Sequence, residues 1–519
     1  MILLDEEDQH QRKLRPSSVA GPTSRNPEDA VPGRDRLPDY ETSQALQDYG
    51  TSHVQQEHEI VPVKQGKKRR KCWYCAFGFN SDARFWRATL YALIIYILIT
   101  IAVAVPLLVL RLRQQREKKA FGPPWGDESA SALLALPISD GQVVDCNTWQ
   151  SGGDDGQAVL EYKFPVTSSI VFKSNVTHDM EAPRLVQGNL LVDLNPDHSE
   201  DETLVYVNLN YSSAPLLKAT NVCHIRGLGS DGVSITVPRN LAVSDSLYFD
   251  MTVLLPSNSN GSINIEQLVT FLPSFTQRLG SLYPAVHFTK TTIEGPMSAI
   301  TVGSLQAEAL VVKSSLAPIT GTFNASDSLI LDTMAAPITA NITLTNPRKC
   351  GRPTILDVST GNSGLSANVT LSITAPPTTT SNLAPQFLSE VTTFSGDLNL
   401  SVVHDPDTAP THMHLRCQNN LGASSVTLDD KFEGTFSVQT KFDDVLVLGT
   451  DAASMMRAAD PLGQGRSRTF QVDYNATSRM DGWVGWGARP NVKWARKTGQ
   501  GRVEVVTSLS PVALDLGGG

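Results

Sequence analysis

Hydrophobic and polar positions divide the chain into three parts. Residues 1–87 are polar, with little apolar clustering. Residues 88–110 are apolar and carry no charge. After them, short alternating or apolar stretches rich in Val, Ile, Leu and Thr recur between clusters of Gly, Pro, Asn, Asp and Ser, a pattern typical of β-strands and turns. The sequence therefore predicts a disordered tail, one transmembrane helix and a mainly β ectodomain.

The apolar stretch has the length of a membrane span, because about 20 apolar residues cross the hydrocarbon layer. A long polar segment precedes it, which favours an uncleaved signal anchor over a signal peptide. More Lys and Arg residues lie just before the stretch than just after it. Because cytoplasmic flanks are enriched in positive charge, we expect a single-pass type II protein with a cytosolic N-terminus. Plasma membrane and internal secretory membranes both fit this topology.

The N-glycosylation sequons agree with that topology, since all of them follow the apolar stretch. Asn-x-Ser/Thr triplets accept glycans only in the secretory lumen. The predicted glycosylation sites are Asn175, Asn210, Asn260, Asn324, Asn341, Asn368, Asn399 and Asn475.

The end of the tail combines a basic run, residues 67–71, with Cys72 and Cys75. The basic run fits contact with anionic lipid, a nuclear-import-like patch or, as the favoured interpretation, determination of membrane topology. The cysteine pair could in principle be redox-active or half of a zinc site. Its juxtamembrane position favours palmitoylation of both cysteines.

Strand patterns recur through the ectodomain, for example at residues 203–209, 247–254, 309–312, 329–331, 369–373 and 445–448. Residues 262–282 depart from them. Ile265, Leu268, Leu272 and Leu279 follow helical spacing there, which predicts one or two short helices interrupted by Pro273.

Internal repetition is the most informative feature of the ectodomain. Residues 310–320 return as residues 329–339 after a shift of about 19 residues, close to the 20-residue period of solenoids. Residues 506–512 resemble residues 313–319, and residues 211–216 give a weaker echo. The repeat fits a β-solenoid, in which each rung packs on its neighbours, and equally a β-sandwich whose hairpins share a turn.

These patterns predict the following domain organisation: residues 1–87 a disordered cytosolic tail, 88–110 the transmembrane helix, 111–135 a stalk, 136–374 a β-rich extracellular domain with the repeats, 375–385 a Pro/Thr-rich linker, and 386–519 a second β-rich region.

Four cysteines follow the predicted span: Cys146, Cys223, Cys350 and Cys417. An even number of cysteines in an oxidising compartment predicts two disulfides, with three pairings open.

Two clusters contain residue types that could carry chemistry. Residues 404–407 and 412–414 combine His and Asp, the ligand types of a metal site, but a polar loop beside an exposed strand explains them as well. Trp483, Trp486 and Trp494 could form a sugar-binding platform or close the end of a β-domain. No hydrolase, zincin or phosphate-loop motif occurs. We therefore predict no enzyme and no catalytic, cofactor-binding or metal-binding residue.

The Ala-Pro-Ile-Thr repeats and residues 432–438 resemble a group of fungal single-pass membrane proteins with an adhesin-like β-repeat ectodomain. The resemblance implies a glycosylated, non-enzymatic domain for cell-surface or wall interaction, with the lipid bilayer and a cell-wall glycan or surface protein as partners. The net charge of −9 disfavours nucleic acid. Two alternatives stay open: a type II secretory-pathway enzyme acting on glycans, and a scaffold acting through its cytosolic tail.

Overall fold

The computed structural model describes residues 142–152, 156–166, 169–176, 185–197, 201–257, 261–347, 352–374, 386–450, 459–490 and 500–517. The predicted tail, transmembrane helix, stalk and linker lie outside these residues, as do Cys72 and Cys75. Among the described residues, no helix is both long and apolar enough to span a bilayer.

The described chain is built from β-strands and one short helix, in agreement with the predicted mainly β ectodomain. The first strands are β1 Gln142–Cys146, β2 Ser151–Gly152, β3 Gln157–Pro165, β4 Ser169–Ser174, β5 Val186–Leu194, β6 Glu202–Tyr211, β7 Asn221–Gly227, β8 Ser230–Thr236 and β9 Leu247–Leu255, with helix α1 Ala214–Ala219 between β6 and β7. The middle strands are β10 Ile263–Phe271, β11 Phe275–Ser281, β12 Val286–Glu294, β13 Ile300–Ser314, β14 Ile319–Thr333, β15 Ile338–Asn346, β16 Thr354–Thr360, β17 Leu365–Ile373, β18 Phe387–Thr393 and β19 Leu398–His404. The last strands are β20 Met413–Asn419, β21 Ser424–Leu428, β22 Gly434–Gln439, β23 Val445–Leu448, β24 Arg468–Ala476, β25 Arg479–Trp486, β26 Gly501–Val506 and β27 Val512–Asp515.

Most strands belong to one of two parallel ladders. In stacking order, the first ladder contains β8, β4, β10, β12, the second half of β13, the second half of β14, β16, β18, β20, β26 and β22. The second ladder contains β9, β5, β11, the first half of β13, the first half of β14, β15, β17, β19, β21, β27 and β23. One strand of the first ladder followed by one of the second forms a rung.

The core lies between the two ladders. Alternate residues of most strands in the ladders are buried, as in β15 and β16, and the buried side chains form one contiguous hydrophobic cluster. Most of these strands therefore bury one face, as the alternation in the sequence predicts.

The 19-residue repeat corresponds to one rung. Leu310 pairs with Leu329, and Ile319 pairs with Ile338. The repeated segments thus stack directly on each other in parallel, which is the arrangement of a β-solenoid and not of hairpins in a sandwich. The echo at residues 506–512 is also confirmed, because Val512 lies in the same inward-facing column as Ile319.

The ladders run on across the predicted linker. β16 pairs with β18 and β17 pairs with β19, so the strands before and after residues 375–385 are direct neighbours. The linker itself lies outside the described residues.

Two local predictions were wrong. Residues 262–282 form β10 and β11 instead of helices. Ile265 and Leu268 are both buried although they are three residues apart, because strict alternation is interrupted between them; this irregular strand imitates helical spacing. Residues 211–216 end β6 and begin α1, so their likeness to the repeat does not reflect a rung.

One disulfide joins Cys146 in β1 to Cys223 in β7 across 77 residues, which confirms one of the two expected bonds. Cys417 is a free cysteine, buried in β20 with its side chain in the core. Its expected disulfide is therefore absent. Burial raises the pKa of the Cys417 thiol, so it stays protonated. Cys350 lies outside the described residues.

Candidate functional site

The outward side of the second ladder is a regular array of short uncharged polar side chains, from β13 to β21. We call this array the polar face. It has three columns: Thr301, Thr320, Thr339, Ser366, Asn399 and Ser425; Thr322, Asn341, Asn368, Ser401 and Thr427; and Asn324, Thr343 and Thr370. Because parallel strands lie about 4.8 Å apart, hydroxyl and amide groups repeat at that interval along each column.

The polar face differs in charge from the outward side of the first ladder. There, consecutive rungs place Asp357, Glu390, Arg416 and Glu504 in one column. The three columns of the polar face contain only Thr, Ser and Asn. These columns therefore offer hydrogen-bonding groups without fixed charge, between Arg278 beside Thr301 and Asp515 beside Thr427.

Four predicted glycosylation sites lie on the polar face: Asn324, Asn341, Asn368 and Asn399. Asn341 and Asn368 are neighbours in one column, and the Asn368 Nδ2 donates a hydrogen bond to Asn341 Oδ1 at 3.1 Å. Asn341, Asn368 and Asn399 are exposed, and Asn324 is half-exposed. The amide groups are thus accessible on the folded domain.

The other predicted sequons are spread over the domain. Asn210 and Asn475 are exposed at the end of β6 and in β24. Asn175 uses both ends of its amide, donating from Nδ2 to the Val237 carbonyl at 3.0 Å and accepting from the Val237 N–H at 2.8 Å. Asn260 lies outside the described residues.

The His and Asp cluster at residues 404–414 is a hydrogen-bonded turn. His404 Nδ1 lies 2.9 Å from Asp429 Oδ1, and His404 Nε2 lies 2.9 Å from Thr411 Oγ1. The order Thr, His, Asp is that of a nucleophilic triad, but all three residues are buried. A buried threonine hydroxyl cannot meet a substrate, so the arrangement has the geometry of a structural clamp.

The negative charge of Asp429 is stabilised by its contacts within this clamp. Burial raises the pKa of Asp429, but the hydrogen bonds from His404 and the positive charge of Lys431 outweigh it and hold the pKa below its usual range. Asp429 is therefore an ionised acceptor.

Lys431 fastens the same turn. Its Nζ donates to the carbonyl oxygens of Asp405, Pro406 and Thr408, at 2.8, 2.9 and 2.9 Å. An ammonium group thus occupies the place at which these carbonyls converge. Among the described residues, no group of three or more His, Cys, Asp or Glu side chains is arranged to hold a metal ion.

The tryptophan cluster closes the C-terminal end of the first ladder, where the β24–β25 hairpin pairs with β22. Trp483 is fully buried. Trp486 is also buried, and its Nε1 donates to the Asp430 carbonyl at 3.1 Å while the Arg468 guanidinium lies over its ring. Neither ring can serve as an exposed sugar platform. Trp494 lies outside the described residues.

Two of the solved structures that match the chain are described as adhesion proteins. One is a candidate cell adhesion protein from Clostridium sporogenes ATCC 15579, 8% identical, with 69% of this chain and 99% of that chain covered and a TM-score of 0.14. The other is a candidate adhesin from Parabacteroides merdae ATCC 43184, 7% identical, with 53% and 90% covered and a TM-score of 0.22. At these TM-scores neither match carries an argument about this chain. No protein-family model and no curated protein matches it.

Sequence reasoning found the sequons and the repeat but missed the polar face. The local sequence pattern identifies the short Thr, Ser and Asn residues only as strand and turn formers. Their common side became visible only through the register, which places Thr320, Thr339 and Ser366 in one column.

Proposed function

We propose that this chain is a glycosylated, non-enzymatic cell-surface protein whose polar face contacts an uncharged polysaccharide of a wall or matrix. The observation that carries the proposal is the first column, an unbroken run of Thr, Ser and Asn over the rungs from β13 to β21. Hydroxyl and amide groups hydrogen-bond to sugar hydroxyls, and an uncharged face suits a neutral polymer.

The first column is the contact row in this proposal. Of its members only Asn399 is a sequon, whereas the second column holds Asn341 and Asn368. Glycans on the second column would flank the contact row without replacing it. The N-terminal anchor, the type II orientation and the location at the cell surface rest on the sequence alone and belong to the same proposal.

The test uses the full chain from a secretory host and an array of neutral and anionic wall polysaccharides. We expect saturable binding to a neutral polymer without product release. Thr339→Lys and Ser366→Lys place a charge in the contact row and should weaken binding by about tenfold or more. Thr392→Lys on the outward side of the first ladder is the matched control. Glycopeptide mapping of the same protein tests the sequons.

Three results would contradict the proposal. Release of shortened sugars would indicate the glycan-acting enzyme instead. An equal loss of binding in the Thr392→Lys control would show that the polar face is not the polysaccharide-binding site. Absence of binding to every polymer would leave a protein partner or the tail as the functional element.

A further inference from the structure

A row of exposed apolar side chains runs along one edge of the solenoid. It lies at the turns that connect the first ladder to the second within each rung. Its members, the corner row, are Leu316, Met334, Phe394, Leu421, Leu509 and Phe442, with Asn362 between Met334 and Phe394. Each apolar member is between 44% and 77% exposed.

Backbone hydrogen bonds fix the order of the row. Met334 N–H donates to the Ser315 carbonyl at 3.2 Å, and Asn362 N–H donates to the Met334 carbonyl at 2.9 Å. Leu421 N–H donates to the Phe394 carbonyl at 2.9 Å. The turns therefore stack one on another, and the apolar side chains follow each other along the solenoid axis. Seven turns at about 4.8 Å per rung make a row roughly 29 Å long.

In the sequence repeat, the apolar residue of each turn falls at one of two adjacent positions. Leu316 and Leu509 occupy the same place in residues 313–319 and 506–512, whereas Met334 lies one position earlier in residues 332–338, at the place of Ser315. The inward residues of the repeat serve the core. A large apolar residue that recurs at the outermost point of a turn serves no core, so its position indicates contact with something outside the domain.

The turns around the row are almost free of charge. From Leu316 to Leu509 in stacking order, the turn residues are Ser, Thr, Ala, Gly, Asn and Pro apart from the row itself, with Asp397 as the one ionic side chain. Charges gather only at the Phe442 end, at Lys441, Asp443 and Asp444. The chain as a whole carries −9, so two copies would repel each other over most approaches but not along this edge.

We propose that the corner row is the interface of a homodimer in which two rows pack against each other about a two-fold axis. Six half-exposed side chains of this size present on the order of 600 Å² per copy, the upper range for apolar patches on monomers. Two such patches would bury about 1,200 Å² together, which is the lower limit for a specific interface. A lipid surface fits less well, because Lys441 is the only cation in these turns and interfacial binding draws on basic residues.

The experiment is thiol cross-linking of the full chain in intact expressing cells, without detergent. Cys72, Cys75 and Cys350 are first replaced by serine, while Cys417 stays buried. We expect Leu421→Cys to give a cross-linked dimer. Leu228→Cys, at an even more exposed apolar position in the turn between β7 and β8, is the control and should give none.

Second-site variants test whether the row drives the contact. Phe394→Asp, and the milder Phe394→Ser, should lower the cross-linked fraction from Leu421→Cys by about tenfold. Val243→Asp, an exposed apolar position off the row, should leave it unchanged. Intact Cys146–Cys223 disulfide in each variant reports that the domain has folded.

Two outcomes would overturn the proposal. Failure of Leu316→Cys, Leu421→Cys and Leu509→Cys alike to cross-link would show that the rows do not meet. An environment-sensitive fluorophore on the Leu421→Cys variant that is quenched by nitroxide-labelled lipid would assign the row to the bilayer. Neither readout uses a polysaccharide, so failure of the dimer and failure of the polar face are distinguished.

Discussion

At the scale of single residues, burial controls the chemistry of charged side chains on the first ladder. Asp357 lies opposite Glu390 of the next rung, with Asp332 close by. Burial, followed by the negative charges of Glu390 and Asp332, raises the pKa of Asp357 to about 6, and Lys313 offsets only part of this effect. The carboxyl group is therefore a source of pH-dependent instability.

This raised pKa predicts how stability changes with pH. Between about pH 4 and pH 6 the folded state holds a proton on Asp357 that the unfolded state has released, so the free energy of unfolding falls as the pH rises through that window. Asp357→Asn should remove this loss. We expect the variant to be about 2–3 kcal/mol more stable than the parent near pH 7.5, and little changed near pH 4.

Chemical denaturation at both pH values measures the effect, with Asp327→Asn, at an exposed aspartate, as control. Equal stability of Asp357→Asn and the parent near pH 7.5 would show that Asp357 is freely ionised in the folded state.

At the scale of elements, the turns need more explanation than the strands. Neighbouring strands in a ladder supply hydrogen-bond partners for each other's backbone N–H and C=O groups. The backbone groups of a turn lack such regular partners and depend on other contacts. Gly396 and Gly422 let adjacent turns approach closely, since a Cβ on Gly396 would lie 2.0 Å from the Ser363 carbonyl. The longer turn between β19 and β20 relies on side chains instead, with Lys431 and Asp429 as its anchors.

Removal of the Lys431 ammonium should loosen this turn. Lys431→Met keeps the apolar stem but leaves the carbonyls of Asp405, Pro406 and Thr408 without their shared donor. We expect a loss of about 2–3 kcal/mol in the free energy of unfolding, since hydrogen bonds to charged groups contribute more than neutral ones. Hydrogen exchange should rise first in residues 405–412.

Lys441→Met, at an exposed end of the corner row, is the control for loss of a lysine. Equal free energies of unfolding for Lys431→Met and Lys441→Met would contradict this prediction. They would show that the three hydrogen bonds of Lys431 stabilise the folded state no more than hydration of an exposed lysine does.

At the scale of the whole molecule, one core runs through the strands before and after residues 375–385. The predicted domain boundary at residues 375–385 implies two bodies that unfold independently. The direct pairing of β16 with β18 and of β17 with β19 favours a shared transition.

Phe387→Ala distinguishes these two views. Phe387 is fully buried in β18 and follows the predicted linker. We expect the variant to lose about 3–5 kcal/mol, and we expect strands on both sides, β15 and β21, to lose protection together. Hydrogen exchange with mass spectrometry measures both. Destabilisation confined to strands after residue 385 would support two independent domains.

The sequence predicted the strands and the register of the repeat, because alternation and a 19-residue shift are local signals. Leu310 and Leu329 could be aligned from the sequence and do pair. The burial of Trp483 and Trp486 could not be predicted, because it depends on the β24–β25 hairpin folding onto β22, a contact with no local signal. The helix predicted around Ile265 and Leu268 was wrong for a related reason. Both residues lie in an irregular strand between two parallel neighbours, and its buried residues have the spacing that a helix would give.

The stacking order of the last rungs has a consequence for synthesis of the chain. β26 and β27 lie between the rung of β20 and β21 and the rung of β22 and β23, although they come later in the chain. The ribosome synthesises β22 and β23 before β26 and β27, the strands with which they pair. Until Asp515 has been synthesised, β22 and β23 must therefore either stay unpaired or leave space for one rung between themselves and β20 and β21. The solenoid is completed by insertion and not by addition, so folding of these rungs must await β26 and β27.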